Sequence, residues 1–403
     1  MKNKLILEVS TMKIKSLFLG SAAAVALSSG AMAADPIGIA LDTCSMLNIT
    51  GLVVSSESNC LKFSGEVGYD WTYTNDENED GTTGDYGTTS DFDWEFTMEA
   101  TAESDFGPAK AVVTLVDNNN VAVGNPVSGT IDAAEIDEAY VSIGDQTVIM
   151  AGKKGSVVKD GDDETFTALF DLDVRDAAGA GDDGIWAITP GATGGHVMQI
   201  TSDLGNGVDV ALGLEDLQTN NNASLVAGVG VDQDWGTAHI GFVYDDILSG
   251  TSLWDFHAGA TFNIDDMSFR AAFATDEASN WIALVTGKAT FDMFTLAAGV
   301  EFQPASVWEA SVSGEAEVND AVTIAVAGRW DDLNNWDIAA QGVFAVSDNL
   351  DLTAKVNFDE SSLTVFNADL DWAPGGDFEA GVGVQFDSNS VFEVSTSFSK
   401  SFE

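Results

Sequence analysis

The chain of 403 residues carries 65 acidic and 15 basic side chains, which give a formal net charge of −50 at pH 7. This charge excludes nucleic acid as a natural partner, because phosphate binding needs basic patches. The 40 glycines and only 6 prolines favour many short strands joined by tight turns. The composition therefore indicates one large all-β unit or several ordinary domains.

Residues 1–33 are predicted to form an export signal. Lys13 and Lys15 precede an apolar stretch from Leu17 to Leu27, and Ala31-Met32-Ala33 forms a cleavage site of the A-x-A type. Met12 is a second candidate for the start, because residues 1–11 add nothing to this pattern. The apolar stretch is far shorter than the roughly 20 residues that a membrane-spanning helix needs. We therefore expect an exported protein from which residues 1–33 are removed.

The next segment, residues 34–60, contains the only two cysteines, Cys44 and Cys60. Disulfides form in oxidising compartments outside the cytoplasm, so export predicts that this pair is joined. For a loop of roughly 15 residues the entropy argument gives about 3 kcal/mol of stabilisation. A metal site is the weaker alternative, because two cysteines without a nearby histidine lack ligands. We expect a small disulfide-stapled hairpin before the first strand.

The first strand runs from Leu61 to Tyr73 and alternates between apolar and polar side chains. Phe63 and Trp71 belong to the apolar row, whereas Lys62, Glu66 and Asp70 belong to the polar row. Because side chains of a strand alternate between two faces, one face is buried in an apolar environment and the other is wet. Two structures produce this pattern: a soluble sheet over a core, or a membrane barrel with lipid outside and water inside.

The same alternation recurs along the chain in 20 segments, five before a long polar stretch that begins at Gly155 and fifteen after it. The connections are short at one end, as at residues 205–207, and long at the other, as at residues 75–90, 118–132 and 155–195. Short turns at one end, long loops at the other and aromatic residues near strand ends are typical of outer-membrane barrels. A secreted sandwich or β-helix is the alternative, although no β-helix repeat is present.

The last segment, Val391–Phe402, alternates in the same way as the first. An open strand edge cannot be left unpaired in lipid. We therefore expect the last segment to pair with the strand after Cys60, so that residues 61–403 form one closed transmembrane β-barrel. An even number of strands places both chain ends on the periplasmic side.

The leader that begins at Met12 and the motif from Cys60 to Asp70 that follows Cys44 resemble those of the alphaproteobacterial, Rhizobiales-type, outer-membrane porins. Glu138–Val141 and Ala151–Ser156 are similar to the strands before the constriction loop of general porins. The resemblance implies a 16-stranded, usually trimeric channel in the outer membrane of a Gram-negative bacterium, with the third external loop folded into the lumen. Here that loop is about residues 155–190. The segment count leaves the range at 16–20 strands.

The resemblance also implies a constriction between loop and wall. The loop residues are Asp160, Asp162, Asp163, Glu164, Asp171, Asp173 and Arg175. The wall residues, taken from polar rows, are Lys62, Glu66, Asp70, Lys153, Arg270, Lys288, Arg329 and Lys355. Facing rows of opposite charge set a transverse field, and an excess of one sign selects ions. Because carboxylates greatly outnumber bases, we expect a preference for cations.

No catalytic motif competes with this interpretation. The sequence has no Ser-His-Asp spacing, no phosphate-cradling glycine loop and no paired metal ligands, and it implies no cofactor. The predicted function is passive diffusion of small hydrophilic solutes and ions, with membrane lipids as the surrounding partner. A solute-specific channel is the alternative, and an outer-membrane adhesin or a barrel enzyme is less favoured.

Overall fold

The computed structural model describes residues 43–76, 85–117, 134–159, 161–162, 164–170, 172, 194–218, 223–248 and 253–403. The predicted export signal, residues 1–33, lies outside the described residues. So do the predicted loop residues Asp160, Asp163, Asp171, Asp173 and Arg175. Within the described ranges, no helix is long and apolar enough to span a membrane.

The described chain is almost entirely β-structure. A short helix, α1, spans Thr43–Met46. The strands, in chain order, are β1 (Leu52–Ser55), β2 (Cys60–Asp76), β3 (Asp85–Asp91), β4 (Trp94–Ala102), β5 (Ala109–Asp117), β6 (Ala134–Gly144), β7 (Thr147–Lys154), β8 (Gly195–Gly205), β9 (Val208–Glu215), β10 (Ser224–Gln233), β11 (Gly236–Asp245), β12 (Leu253–Ile264), β13 (Met267–Asp276), β14 (Trp281–Phe291), β15 (Phe294–Gln303), β16 (Val307–Asn319), β17 (Val322–Asp331), β18 (Trp336–Ser347), β19 (Leu350–Asp359), β20 (Thr364–Trp372), β21 (Phe378–Asp387) and β22 (Val391–Phe402).

The strands close into a ring through β2. On one edge β2 pairs antiparallel with β22 along Gly65–Asp76. On its other edge it pairs first with β4 and then with β3, so β3 and β4 together act as one barrel strand. From β4 onward each strand pairs antiparallel with the next as far as β22.

The result is a closed antiparallel barrel of 20 strands. The predicted 20 segments and the predicted pairing of the last strand with the first are confirmed. The 16 strands that the resemblance implied are wrong for this chain. The reason is that all fifteen segments after residue 194 form full ladders with both neighbours, so none is left over as a loop.

Alternation gives the barrel two chemically different faces. On β13, Phe269 and Phe273 point to one side and are exposed, whereas Arg270 points to the other. The cross-strand register carries this division from strand to strand, for example Phe273 opposite Ala283 and Ala271 opposite Val285. We call the side with the exposed hydrophobic residues the apolar face and the opposite side the polar face. Transmembrane barrels have an apolar outer face of this kind.

The turns at one end of the barrel follow directly from the sequence. Asn206 and Gly207, which connect β8 to β9, both adopt positive φ, 53° and 65°. Two-residue hairpins of this type require positive φ at both positions, which Asn-Gly tolerates best. At the opposite end, aspartate caps close several short connections: Asp331 Oδ1 accepts hydrogen bonds from the backbone N–H groups of Leu333 and Asn335, both at 2.9 Å.

A hairpin precedes the barrel. Cys44 and Cys60 form the predicted disulfide, with their Cα atoms 4.8 Å apart. Strand β1 pairs with β2 over Cys60–Phe63, the stretch of that edge that β22 does not reach, because Phe402 lies opposite Gly65. The hairpin and the last strand therefore share one edge of β2.

Candidate functional site

A segment after β7 crosses the polar face of the barrel. It consists of the described residues between Gly155 and Leu172, and we call it the belt. Its first anchor is the carboxylate of Glu215 on β9, which is fully buried. Glu215 Oε1 accepts hydrogen bonds from the backbone N–H of Val157 at 2.9 Å and from Gln199 Nε2 at 2.8 Å. A buried carboxylate with several donors is well satisfied, so this anchor fixes where the belt begins.

The belt then covers apolar side chains on a face that is otherwise polar. Val157 and Val158 pack against Val226 on β10 and Val243 on β11, which are 0% and 2% exposed. Further along, Leu172 packs in a cluster with Leu284 on β14. Burial of side chains of this size contributes about 1.5–3 kcal/mol each. These contacts explain why polar-face positions on the covered strands can be apolar.

At the middle of the belt, Asp162 binds the wall through its carboxylate. Thr237 Oγ1 donates to Asp162 Oδ1 at 2.7 Å, and Thr261 Oγ1 donates to the same oxygen. His239 Nδ1 lies 3.4 Å from Oδ2, and Arg270 Nη2 lies 3.9 Å from Oδ1. Asp162 is 12% exposed as a side chain. Four wall residues on β11, β12 and β13 therefore converge on one belt carboxylate.

The protonation of Asp162 reflects these partners. Burial raises the pKa of the carboxyl group. The hydrogen bonds from Thr261, Thr237 and His239 and the charge of Arg270 outweigh burial, so the pKa lies below its ordinary value. Asp162 is therefore a carboxylate at neutral pH. Behind it, the rings of His239 and His257 are joined by a 2.9 Å hydrogen bond.

Two predicted wall bases sit over a belt aromatic ring. The Arg270 guanidinium lies 4.5 Å and Lys288 Nζ 4.9 Å from the centre of the Phe166 ring. Arg270 Nη1 also donates to the carbonyl of Glu164 at 2.9 Å. Cations over an aromatic face are attracted by its quadrupole, by about 0.5–2 kcal/mol. Both bases thus hold the belt as well as facing the interior.

The end of the belt reaches β16 and β17. Thr167 Oγ1 and Ser311 Oγ are 2.6 Å apart, and the N–H of Ala168 donates to Ser313 Oγ at 2.9 Å. The Arg329 guanidinium lies 5.3 Å from the Phe170 ring. From Glu215 to Arg329 the belt therefore follows the polar faces of successive strands from β9 to β17.

Glycines on the polar face make this close approach possible. A Cβ at Gly241 on β11 would lie 2.5 Å from the carbonyl oxygen of Lys159, and one at Gly228 on β10 would lie 2.5 Å from Lys159 Cγ. A Cβ at Gly259 on β12 would lie 3.0 Å from the carbonyl oxygen of Gly161. Only glycine lets the belt backbone lie directly on these strands. We call these three residues the glycine track.

The predicted site residues fall into groups. Asp162 and Glu164 lie in the belt, and Arg270, Lys288 and Arg329 contact it. Other predicted residues lie on polar faces of strands outside the range β9–β17. These are Lys62, Glu66 and Asp70 on β2 and Lys355 on β19.

Lys153 was predicted to lie in a polar row of the wall, but it lies on the apolar face. In the ladder, Lys153 stands opposite His196 on β8, and Met198 lies in the same row as His196. On β7, Ile149 lies in the same row as Lys153. Ile149 and Met198 are exposed on the apolar face, so Lys153 points to that face too. Lys154 points to the polar face instead, where its Nζ donates to Glu138 Oε1 at 2.7 Å. The run Val148-Ile149-Met150-Ala151 is apolar throughout, so the sequence carries no alternation from which to assign the faces.

Acidic residues of the polar face often stand directly opposite one another. Their register, not visible in the sequence, creates cross-strand pairs of like charge. These pairs include Glu66–Glu95, Asp70–Asp91, Asp203–Asp209, Asp255–Asp276, Glu301–Glu309, Glu309–Asp331, Asp337–Asp359 and Asp351–Asp371. Like charges directly opposite in a sheet repel and destabilise it. Cations or water between them reduce this repulsion.

No protein-family model and no curated protein matches the sequence. Among solved structures, the chain is similar to a substituted porin of Rhodopseudomonas blastica with 13% identity and a TM-score of 0.42, over 85% of this chain and 100% of that chain. It is also similar to a loop-deletion variant of OmpT, an outer membrane protein of Vibrio cholerae, with 11% identity and a TM-score of 0.41, over 86% and 100% of the two chains. Both similarities are too distant to assign a function.

Proposed function

We propose that the protein is a porin of the outer membrane of a Gram-negative bacterium, a water-filled channel through which small hydrophilic solutes and ions diffuse passively. The observation that carries this proposal is the closed ring of 20 strands with large hydrophobic side chains exposed on one face and ionised side chains on the other. In a bilayer every backbone polar group must be satisfied internally, which a closed barrel achieves. A polar interior then holds water.

The belt is proposed to narrow this channel. Its contacts run along the polar faces of β9–β17, so it occupies one side of the interior and leaves the polar faces of β18–β22 and β2–β5 to line the passage. Arg270, Lys288 and Arg329 reach the belt, whereas Asp351 and Asp371 lie on the other side. Carboxylates lie on the belt side as well, as at Asp255–Asp276 and Glu301–Glu309, so the interior carries an excess of acids and not two separate rows of opposite charge.

The channel is proposed to prefer cations. Opposed carboxylates such as Asp351 and Asp371 on β19 and β20, and Glu66 and Glu95 on β2 and β4, create a negative potential that raises the local cation concentration. Lys62 and Lys110, two bases on this side, each lie within 3.4 Å of a carboxylate oxygen. Their positive charge is therefore largely offset.

A planar bilayer experiment tests both statements. Purified protein added to one side should produce stepwise increases of conductance, and a KCl gradient should give a reversal potential of the sign set by potassium permeation. Absence of any ion current would overturn the channel proposal. A reversal potential set by chloride would overturn the cation preference but leave the channel intact.

The solute range and the assembly are tested separately. Swelling of loaded liposomes should rise with sugar concentration without saturating; saturation by one solute would favour the solute-specific alternative. The homotrimer implied by the family resemblance stays a prediction, and a mass of three chains by light scattering in detergent would support it.

A further inference from the structure

The apolar face carries a groove near the end of the barrel at which β2 begins and β22 ends. It has a volume of about 420 Å³ and lies on β19–β22. Every side chain that lines it is apolar. They are Leu350, Leu370, Trp372, Ala380, Val382 and Phe398.

The groove results from one small residue in a row of large ones. The register places Trp372 opposite Ala380 and Ala380 opposite Phe398, all on the apolar face. The methyl group of Ala380 therefore lies between two rings that stand higher than it does. Trp372 and Phe398 are 46% and 45% exposed, so nothing in the described chain covers the groove.

A base lies at the lower rim of this groove. Lys400 follows Phe398 in the same row of β22 and stands opposite Phe378 on β21. Of the described lysines and arginines, only Lys400 and Lys153 lie on the apolar face, and Lys153 is at the opposite end of the barrel. A lysine on the lipid-facing side is tolerated near the interface, where its long side chain reaches the headgroup region.

The partners of Lys400 within the chain are weak. Its Nζ donates to the carbonyl of Ser401 and lies 3.7 Å from Asp377 Oδ2, and the Asp377 side chain is 73% exposed. Exposed ion pairs of this kind contribute about 0–1 kcal/mol. A strongly anionic group at the interface can therefore compete for the lysine.

We propose that this is a binding site for a phospholipid of the periplasmic leaflet, with one acyl chain in the groove and the phosphate bound to Lys400. The site rests on the membrane location in the proposed function. The apolar groove matches the acyl chain of a phospholipid, and Lys400 at its rim matches the phosphate, in the order in which the two occur across a leaflet. On a chain with a net charge of −50, an isolated outward base is the position at which an anionic headgroup is least repelled.

Native mass spectrometry of the protein in detergent, titrated with palmitoyl-oleoyl phosphatidylglycerol, tests the proposal. Lys400→Gln removes the charge, Ala380→Leu fills the groove, and Lys153→Gln is the matched control at the other end of the apolar face. We expect the wild type to retain lipid. Lys400→Gln should bind it about tenfold more weakly through the loss of one charge-assisted contact, and Ala380→Leu should also bind it more weakly because leucine occupies the space of the acyl chain. The control should bind as the wild type does.

Equal lipid retention in all four proteins would overturn the site. A second overturning result is that Ala380→Leu leaves lipid binding unchanged and dissociates the assembly, which would assign the groove to a second copy of the chain. Ion current recorded on the same samples separates the two proposals: current without specific lipid retention refutes the site alone, and retained lipid without current refutes the channel alone.

Discussion

The glycine track gives a direct test of whether the belt controls the channel. Gly241→Ala adds one methyl group, whose carbon would lie 2.5 Å from the carbonyl oxygen of Lys159 and 2.9 Å from Val158 Cγ2. Both contacts are too short, so the belt has to move away by roughly 1 Å at this point. The movement weakens the packing of Val157 and Val158 on Val226 and Val243.

The expected size of the effect follows from overpacking. Inserting a methyl group into a packed site costs about 1–3 kcal/mol. Here the cost falls on the docked belt and not on the ladder, because the β11 backbone pairs with β10 and β12 on either side. A change of this size shifts the equilibrium between docked and released belt about 5- to 150-fold. The barrel itself should remain folded.

Single-channel recording in planar bilayers measures the outcome. We expect Gly241→Ala to have a higher mean conductance and larger current noise than the wild type. Gly328→Ala is the control, because a Cβ there meets nothing closer than the Asp337 carbonyl at 3.7 Å. If the two variants give the same conductance and noise while circular dichroism shows both folded, the belt does not limit the channel.

Three further predictions concern other parts of the site. The wall contacts of Asp162 lower its pKa, so its contribution to belt docking is full above pH of about 4 and is lost as the pH falls through the lowered pKa. The current noise of the wild type should therefore rise only in strong acid. An identical pH profile for Asp162→Asn would contradict this. Replacing Asp351 and Asp371 with Asn should lower the cation-to-anion permeability ratio by up to about fivefold. Two unit charges 4 Å apart in water interact by roughly 1 kcal/mol, which corresponds to a Boltzmann factor of about five. An unchanged reversal potential would refute this prediction. Cys44→Ser should lower the stability of the N-terminal hairpin against opening by about 3 kcal/mol. A protease should then remove residues before Cys60 roughly a hundredfold faster, while the channel conductance stays the same. Protection equal to that of the wild type would count against this.

The barrel itself could be predicted from the sequence to an unusual degree. Strand number depends on alternation over about ten residues, and the chain keeps this period from β8 to β22 with little interruption. Closure between β2 and β22 followed from the physical requirement that no edge lies open in lipid. The stretch at residues 75–90, predicted to be a long connection, contains most of β3 (Asp85–Asp91), because its glycine, threonine and serine residues show no apolar alternation.

The belt could not be predicted in this way, because its partners are far away in the sequence. Asp162 binds Thr237 and Thr261, which lie 75 and 99 residues later. Val226 and Val243 place apolar side chains on the polar face, and only their contact with Val157 and Val158 of the belt explains this. Glycines within strands suggest a close approach of another backbone, so Gly228 and Gly241 were the one local signal of the contact.

The arrangement at the seam of the barrel has a consequence for how the ring closes. β22 ends opposite Gly65, and β1 occupies the next positions of the same edge of β2. Gly51 lies against the C-terminal residue, since a Cβ at Gly51 would be 2.9 Å from the carbonyl carbon of Glu403. If β22 slid toward the termini by one pleat, it would collide with this hairpin. The disulfide-held β1 therefore blocks any shift of the closing strand in this direction and sets a limit on the stagger, which is linked to the tilt and the diameter of the barrel.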